Sequence, residues 1–313
     1  MLSRRKFISQ AGLTAGAWLA APSLLAEMHE EAASKKLTIL HTNDVHSRLE
    51  AFPMDGGKFQ GMGGVSARAS LIRQIRAENR QVLLLDAGDI FQGTPYFNLY
   101  RGEPEIRAMT AMGYDAATMG NHDFDGGIEN FANQLRHAGF PILICNYDFT
   151  GTPMENGYQP YRIYRKGRIK VGVTGVGVEL NGLVPDILYG NTRYLDPIVQ
   201  LNLVAEKLKK EEGCDLVICL SHLGLDYRDT SYKVCDKILA VETRHVDLII
   251  GGHTHSFMEE PLLVKNKLGA DVVVNQVGWG GILLGRLDYD FMAVSARKPV
   301  TSLQLSVGKK TTE

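Results

Sequence analysis

The chain has 313 residues, 44% apolar and 22% charged, with a formal net charge of −1. That balance excludes a disordered or collagen-like chain and leaves room for one large domain or two modest ones. With no basic excess to neutralise phosphates, it also argues against a nucleic-acid polymer as partner.

Residues 1–26, MLSRRKFISQAGLTAGAWLAAPSLLA, join a basic head to a weakly apolar middle and an Ala-rich end, the pattern of an export signal. Within it, Ser3-Arg4-Arg5-Lys6-Phe7-Ile8 resembles the bacterial twin-arginine signal, which implies an exported, periplasmic or otherwise extracytoplasmic protein. An ordinary secretory signal or an uncleaved anchor are the alternatives. A stable membrane span needs about 20 consecutive apolar residues, and Gln10, Gly12, Thr14 and Gly16 interrupt this run. Residues 27–36 read as a polar linker.

From there short apolar runs alternate with helical patterns. Strands are expected at Leu37–Thr42, Val82–Asp86, Ala116–Met119, Ile142–Cys145, Ile169–Val176, Leu216–Ser221, Val246–Ile250, Asp271–Asn275 and Ile282–Asp290. Most are rich in Val, Ile and Leu without polar alternation, so they should be covered on both faces. Helices are expected at Val65–Glu78, Glu103–Met112, Ile128–Ala138 and Asp196–Glu211, the last opening on an Asp N-cap followed by Pro. This rhythm means an α/β fold. It fills residues 37–292, and 293–313 read as a terminal strand at Leu303–Val307 followed by a polar tail. The four cysteines form no CxxC pair, and Cys145 and Cys219 lie inside apolar runs. Buried free thiols are therefore expected rather than a zinc knuckle, with a disulfide open to an exported chain.

Five polar clusters follow five of these strands: Asn43-Asp44-Val45-His46, Ala87-Gly88-Asp89, Gly120-Asn121-His122-Asp123, Ser221-His222 and Gly251-Gly252-His253-Thr254-His255. Open α/β sheets bind ligands at the carboxyl ends of their strands, so the clusters should converge. Any one has an ordinary structural reading as a cap, turn or strand-end residue. Five of the nine histidines falling in these clusters favours a site. Asp44 and His46, two apart in extended chain, should point the same way, as should His253 and His255, although each of the latter could serve a different ion. Gly251 and Gly252 would let backbone pass close to such ions. A donor set of Asp, Asn and His without thiolate suits Mn, Fe, Co or Zn, and seven ligands imply two divalent ions.

In this order, the Asp44-Val45-His46, Gly88-Asp89, Gly120-Asn121-His122-Asp123, Ser221-His222 and Gly252-His253-Thr254-His255 blocks resemble the calcineurin-like metallophosphoesterases. LTILHTNDVHSRLE, GGVSARASLI, DAGDIFQGTP and GNHDFDGG resemble, more narrowly, the catalytic domain of the 5′-nucleotidase family over about residues 37–290. The resemblance implies a four-layer αββα sandwich forming a single catalytic domain. It implies Asp44, His46 and His255 on one metal, Asn121, His222 and His253 on the other, and Asp89 bridging. It further implies attack on phosphorus by a hydroxide held between the ions. His122 would stand beside the phosphate as a catalytic residue, oriented and kept protonated by Asp125, which could otherwise be a helix N-terminal acid. Asp123 is left as a cap or supporting residue.

The resemblance lacks the C-terminal domain with which that family selects nucleotides. The expected substrate is a phosphate ester, foremost a nucleotide. Selection is expected from a separate chain resembling that domain, with local loops such as Phe52–Gly64 and Phe91–Arg101, or small phosphate esters taken with little selectivity, as the alternatives. The alternatives are a thiohydrolase of sulfur oxidation built on the same site, a catalytic subunit inactive on nucleotides without its partner, and a metal-binding module without turnover.

Overall fold

The computed structural model describes residues 35–227, 233–291, 299 and 301–308. The export signal, all of the linker before residue 35 and the tail after residue 308 lie outside the described residues. Two sheets carry the fold. The first has the order β13-β12-β1-β2-β3, built from β1 (Lys36–Thr42), β2 (Val82–Asp86), β3 (Ala116–Ala117), β12 (Leu283–Asp290) and β13 (Thr301–Ser306). The second has the order β10-β11-β9-β8-β6-β5, built from β5 (Tyr161–Lys166), β6 (Ile169–Gly177), β8 (Leu216–His222), β9 (Leu248–Gly251), β10 (Leu262–Lys265) and β11 (Asp271–Asn275). A two-stranded pair, β4 (Tyr147–Asp148) and β7 (Arg193–Tyr194), stands apart.

Strand geometry sends alternate side chains to opposite faces, and both faces are apolar. Leu37, Ile39, Leu83 and Leu85 of the first sheet meet Val171, Val173, Leu216, Ile218, Leu248 and Ile250 of the second in one buried layer. The opposite faces of the same strands pack helices. Leu40 and Leu84 lie with Ile72 and Ile75 of helix Val65–Glu78 and with Ile106 and Met109 of helix Glu103–Met112. Val217, Cys219 and Ile249 lie with Leu201 and Ala205 of helix Pro197–Glu206 and with Leu239 of helix Asp236–Glu242. Each fully buried side chain of this kind contributes about 1.5–3 kcal/mol. The result is helix, sheet, sheet, helix, the four-layer sandwich expected from the sequence.

Several elements differ from expectation. Ile142–Cys145 forms no ladder, being held by isolated bridges of Ala117 to Ile142 and Leu143 to Gln159 and by Cys145 N to Gly175 O, and Ala116–Met119 shrinks to two residues. Helix Ile128–Gln134 tightens into a 3₁₀ turn at Leu135–His137, and the Asp196-capped helix widens into a π turn at Lys207–Glu211. The Asp196 side chain accepts from the N–H groups of Ile198 and Val199 as a cap should. Strands β5 and β10 and helices Pro95–Tyr100 and Asp236–Glu242 were not expected. Residue 36 belongs to β1 rather than to a linker, and β13 pairs antiparallel with β12. All four cysteines are buried and free. No helix among the described residues is long and apolar enough to cross a membrane.

Register fixes where the polar loops leave. β1 runs parallel to β2 with Thr42 opposite Asp86, and β8 runs parallel to β9 with Ser221 opposite Gly251. The loops after both pairs therefore depart at one level, from sheets that face each other.

Candidate metal centre

The loop after β1 is clipped to the loop after β2 by three backbone hydrogen bonds: Asp44 N to Gly88 O (2.9 Å), His46 N to Asp89 O (3.0 Å) and Ser47 N to Ile90 O (2.8 Å). This ladder brings Asp44 and His46 beside Asp89. It does so without extended backbone, because Asp44 (φ 52°) and His46 (φ 51°) are left-handed, as are Asp89 (φ 56°), His253 (φ 72°) and His255 (φ 52°). The expectation that Asp44 and His46 align because the chain is extended is thus corrected. They converge because two coiled loops are stitched together.

Two triads result, Asp44–His46–His255 and Asp89–His222–His253, each with its donor atoms within 4.8 Å of one another. In the first, His46 Nε2 and His255 Nε2 stand 2.9 Å apart, and Asp44 Oδ1 lies 3.4 Å from His255 Nε2 and 3.9 Å from His46 Nε2. In the second, His222 Nε2 lies 3.1 Å from Asp89 Oδ2, and His253 Nδ1 meets Asn121 Oδ1 at 2.8 Å. Asp89 Oδ2 is also 3.8 Å from His46 Nε2, so this carboxylate touches both triads.

Whether these residues suit metal ions is tested by the buried polar atoms. His222 is wholly buried, its Nδ1 bonds Ala87 O at 2.7 Å, and its Nε2 has no aligned hydrogen-bond partner. An imidazole that spends its Nδ1–H on a backbone carbonyl is oriented to give its Nε2 to an ion, which would displace the proton held there. Electrostatics agree. Burial lowers the pKa of His46, against Asp89 and Asp44, and takes His253 down to about 4, so both rings stay neutral as ligands must. Burial opposes protonation of His222, but Asp89 and Asp44 overcome it and raise its pKa to about 10. Burial likewise works against the charged form of Asp89, yet His222 and His46 hold its carboxyl well below the usual range. Without an ion, the carboxylates draw their positive charge from histidine. The donors fit a divalent pair.

Glycines make this packing possible. A Cβ on Gly120 would fall 2.1 Å from Asp89 Oδ1 and 2.5 Å from His222 Nε2, and one on Gly252 would fall 2.9 Å from His222 Nδ1. Asp123 is no passive cap: buried, it accepts from Gly120 N (2.8 Å), Asp89 N (3.0 Å), Ile90 N (3.0 Å) and Phe91 N (3.1 Å). It ties the loop after β3 to the loop after β2. His122 donates its backbone N–H to Asp89 Oδ1 (2.8 Å), and its Nδ1 bonds Asp125 Oδ2 (2.8 Å), chiefly by which bond its pKa is raised.

The supporting roles of three residues escaped the sequence reading, although Asn43 stood in the first polar cluster. Asn43 Nδ2 donates to Asp44 Oδ2 and to Gly278 O, while its Oδ1 accepts from Val277 N. Gln276 bonds Gly252 O and Ser256 N, shaping the His253–His255 turn. Trp279 stacks on His255, centroids 5.9 Å apart and planes 17° from parallel. Gln276 and Trp279 follow β11, a sixth strand parallel to β9 with polar residues at its carboxyl end. That shared position was the available signal. A cavity of about 280 Å³ opens beside the first triad, lined by His46, Arg48, Gln92, His122, His255 and Trp279.

A family model for calcineurin-like phosphoesterases matches residues 37–257. The chain is 37% identical to a snake venom 5′-nucleotidase of Crotalus adamanteus over 85% of its own length and 47% of that protein. It is 35% identical to a 5′-nucleotidase of Vibrio cholerae over 85% of its length and 51% of that protein. It superposes on a 5′-nucleotidase precursor of Thermus thermophilus with a TM-score of 0.73 at 30% identity, covering 87% of this chain and 54% of that one. The chain thus spans about half the length of the curated relatives it matches.

Proposed function

The chain belongs to the calcineurin-like phosphoesterase family, and from that premise we propose that it hydrolyses phosphate monoesters, nucleotides foremost. We assign Asp44, His46 and His255 to one divalent ion, Asn121, His222 and His253 to a second, and Asp89 to both, with Mn, Zn, Fe and Co as candidates. The wholly buried Nε2 of His222, set between the carboxylates of Asp89 (3.1 Å) and Asp44 (3.9 Å), is the observation that carries this reading. Two such ions, when bound, supply an activated water and neutralise charge on the phosphoryl group.

The chain's own residues supply the rest. The Asp125 bond at Nδ1 favours the protonated ring, raising the pKa of His122, and leaves Nε2–H to donate. Lining the cavity beside the first triad, His122 stabilises charge developing on phosphate and on the leaving oxygen. Asp125 holds the ring's orientation. Export of the chain accords with the venom and precursor relatives.

The test is hydrolysis of phenyl phosphate and AMP by the purified chain alongside a metal count. H122A should lower turnover by about 10²–10⁴-fold while two ions remain bound. Unchanged turnover overturns the mechanism. Selective AMP hydrolysis by this chain alone would count against the separate selecting chain expected from the sequence.

A further inference from the structure

Arg48 lines the same cavity as His46, His122 and His255. It leaves the loop after β1 two residues beyond His46, and its guanidinium lies over the Phe52 ring, 4.1 Å from the centroid. That distance is well within cation–π range. Phe52 in turn meets Trp279 edge-on at 5.4 Å, and Trp279 stacks on His255. A continuous column of Arg48, Phe52, Trp279 and His255 therefore runs from the cavity wall to the first triad.

What the guanidinium lacks is a counter-charge. Among the described residues Arg48 makes no side-chain hydrogen bond and no ion pair, and its Nε is buried without an acceptor. A planar fork of five donors held on an aromatic face and unpaired is matched to a phosphate or carboxylate oxyanion. Asp44 and Asp89 are engaged in the triads, and Glu50 accepts from Tyr96.

We infer that Arg48, braced on Phe52, is an anion-recognition residue of the cavity that grips a phosphate oxygen of the ester. This rests on the phosphoesterase reading of the adjacent site. The anion has two possible sources, the reacting phosphate or a second phosphate on the leaving group. Both present the same oxyanion to the fork.

The experiment compares wild type with R48Q, R48K and F52L, all metal-loaded. Calorimetry measures binding of inorganic phosphate and methylenediphosphonate, and kinetics with phenyl phosphate separate KM from kcat. A charge-assisted hydrogen bond predicts that R48Q weakens anion binding by about 10–100-fold, with R48K recovering part of the loss and F52L weakening binding less. Two bound ions in every variant exclude a folding defect. Weakened phosphate binding together with a raised KM assigns Arg48 to the reacting phosphate, and weakened diphosphonate binding alone assigns it to the second. Affinities within twofold of wild type for both ligands overturn the inference. If wild type binds phosphate but hydrolyses no monoester, the functional reading falls while this one stands.

Discussion

Removing the Asp123 carboxylate should unfasten the site from behind. Its two oxygens receive four backbone N–H groups from two loops, and the residue is fully buried. D123A leaves all four donors without an acceptor, each at about 1–3 kcal/mol, so the expected loss is at least about 4 kcal/mol. That is a large share of the roughly 5–15 kcal/mol that holds a domain together. In D123N one oxygen can still serve Ile90 and Phe91, but the amide N–H₂ then faces the N–H groups of Asp89 and Gly120. A loss of about 2–6 kcal/mol follows, from two orphaned donors. Urea unfolding of the chelator-stripped proteins measures both variants without the contribution of bound ions. Equilibrium dialysis should show weaker metal binding as well, because Asp89 sits on one of the two loops released. If D123A loses less than about 1 kcal/mol and keeps both ions, Asp123 does not hold the loops together.

Two further outcomes follow from the same geometry. The Asp125 hydrogen bond is the largest cause of the raised pKa of His122, so the active imidazolium is kept as pH rises and lost only above its ordinary range. D125N should move the alkaline limb of kcat/KM to lower pH, and a limb that stays in place refutes the pairing. G120A places a methyl group 2.1 Å from Asp89 Oδ1 and 2.5 Å from His222 Nε2. Metal analysis of that variant should find fewer than two ions per chain, and a full complement would show that the loop can yield.

The interior strands were legible because burial on both faces leaves a simple mark. VLLLD and LVICLSH are apolar runs of strand length, and β2 and β8 lie where those runs lie. The edges were not. β5 reads YRIYRK, half exposed, with charges on the solvent side, and it is an edge strand paired only to its hairpin neighbour β6, as β10 is to β11, so burial on both faces leaves no mark there. Ile142–Cys145 carries strand composition but lies where only single bridges form, so composition overstated it. Helix Pro95–Tyr100 is six residues long, too short for a periodic pattern to declare itself.

The site was legible as a set of residue types at strand ends and illegible as backbone. All seven expected ligands converge, yet five of them, Asp44, His46, Asp89, His253 and His255, have left-handed φ. Asp adopts that conformation more readily than most residues, and His is tolerated there, but each non-glycine instance still costs about 1–2 kcal/mol. Glycine would remove that cost and with it the donor atom, so these positions can be neither relaxed nor replaced. The strain joins the repulsion of carboxylates packed against one another, and both are offset by the loop-to-loop hydrogen bonds through Asp123 and by whatever positive charge occupies the centre. A divalent pair that binds only the folded arrangement adds its binding free energy to folding. The loops that hold the donors and the ions that neutralise them therefore stabilise each other, which is why a stability measurement on the stripped chain and a metal count on the loaded one report on the same set of contacts.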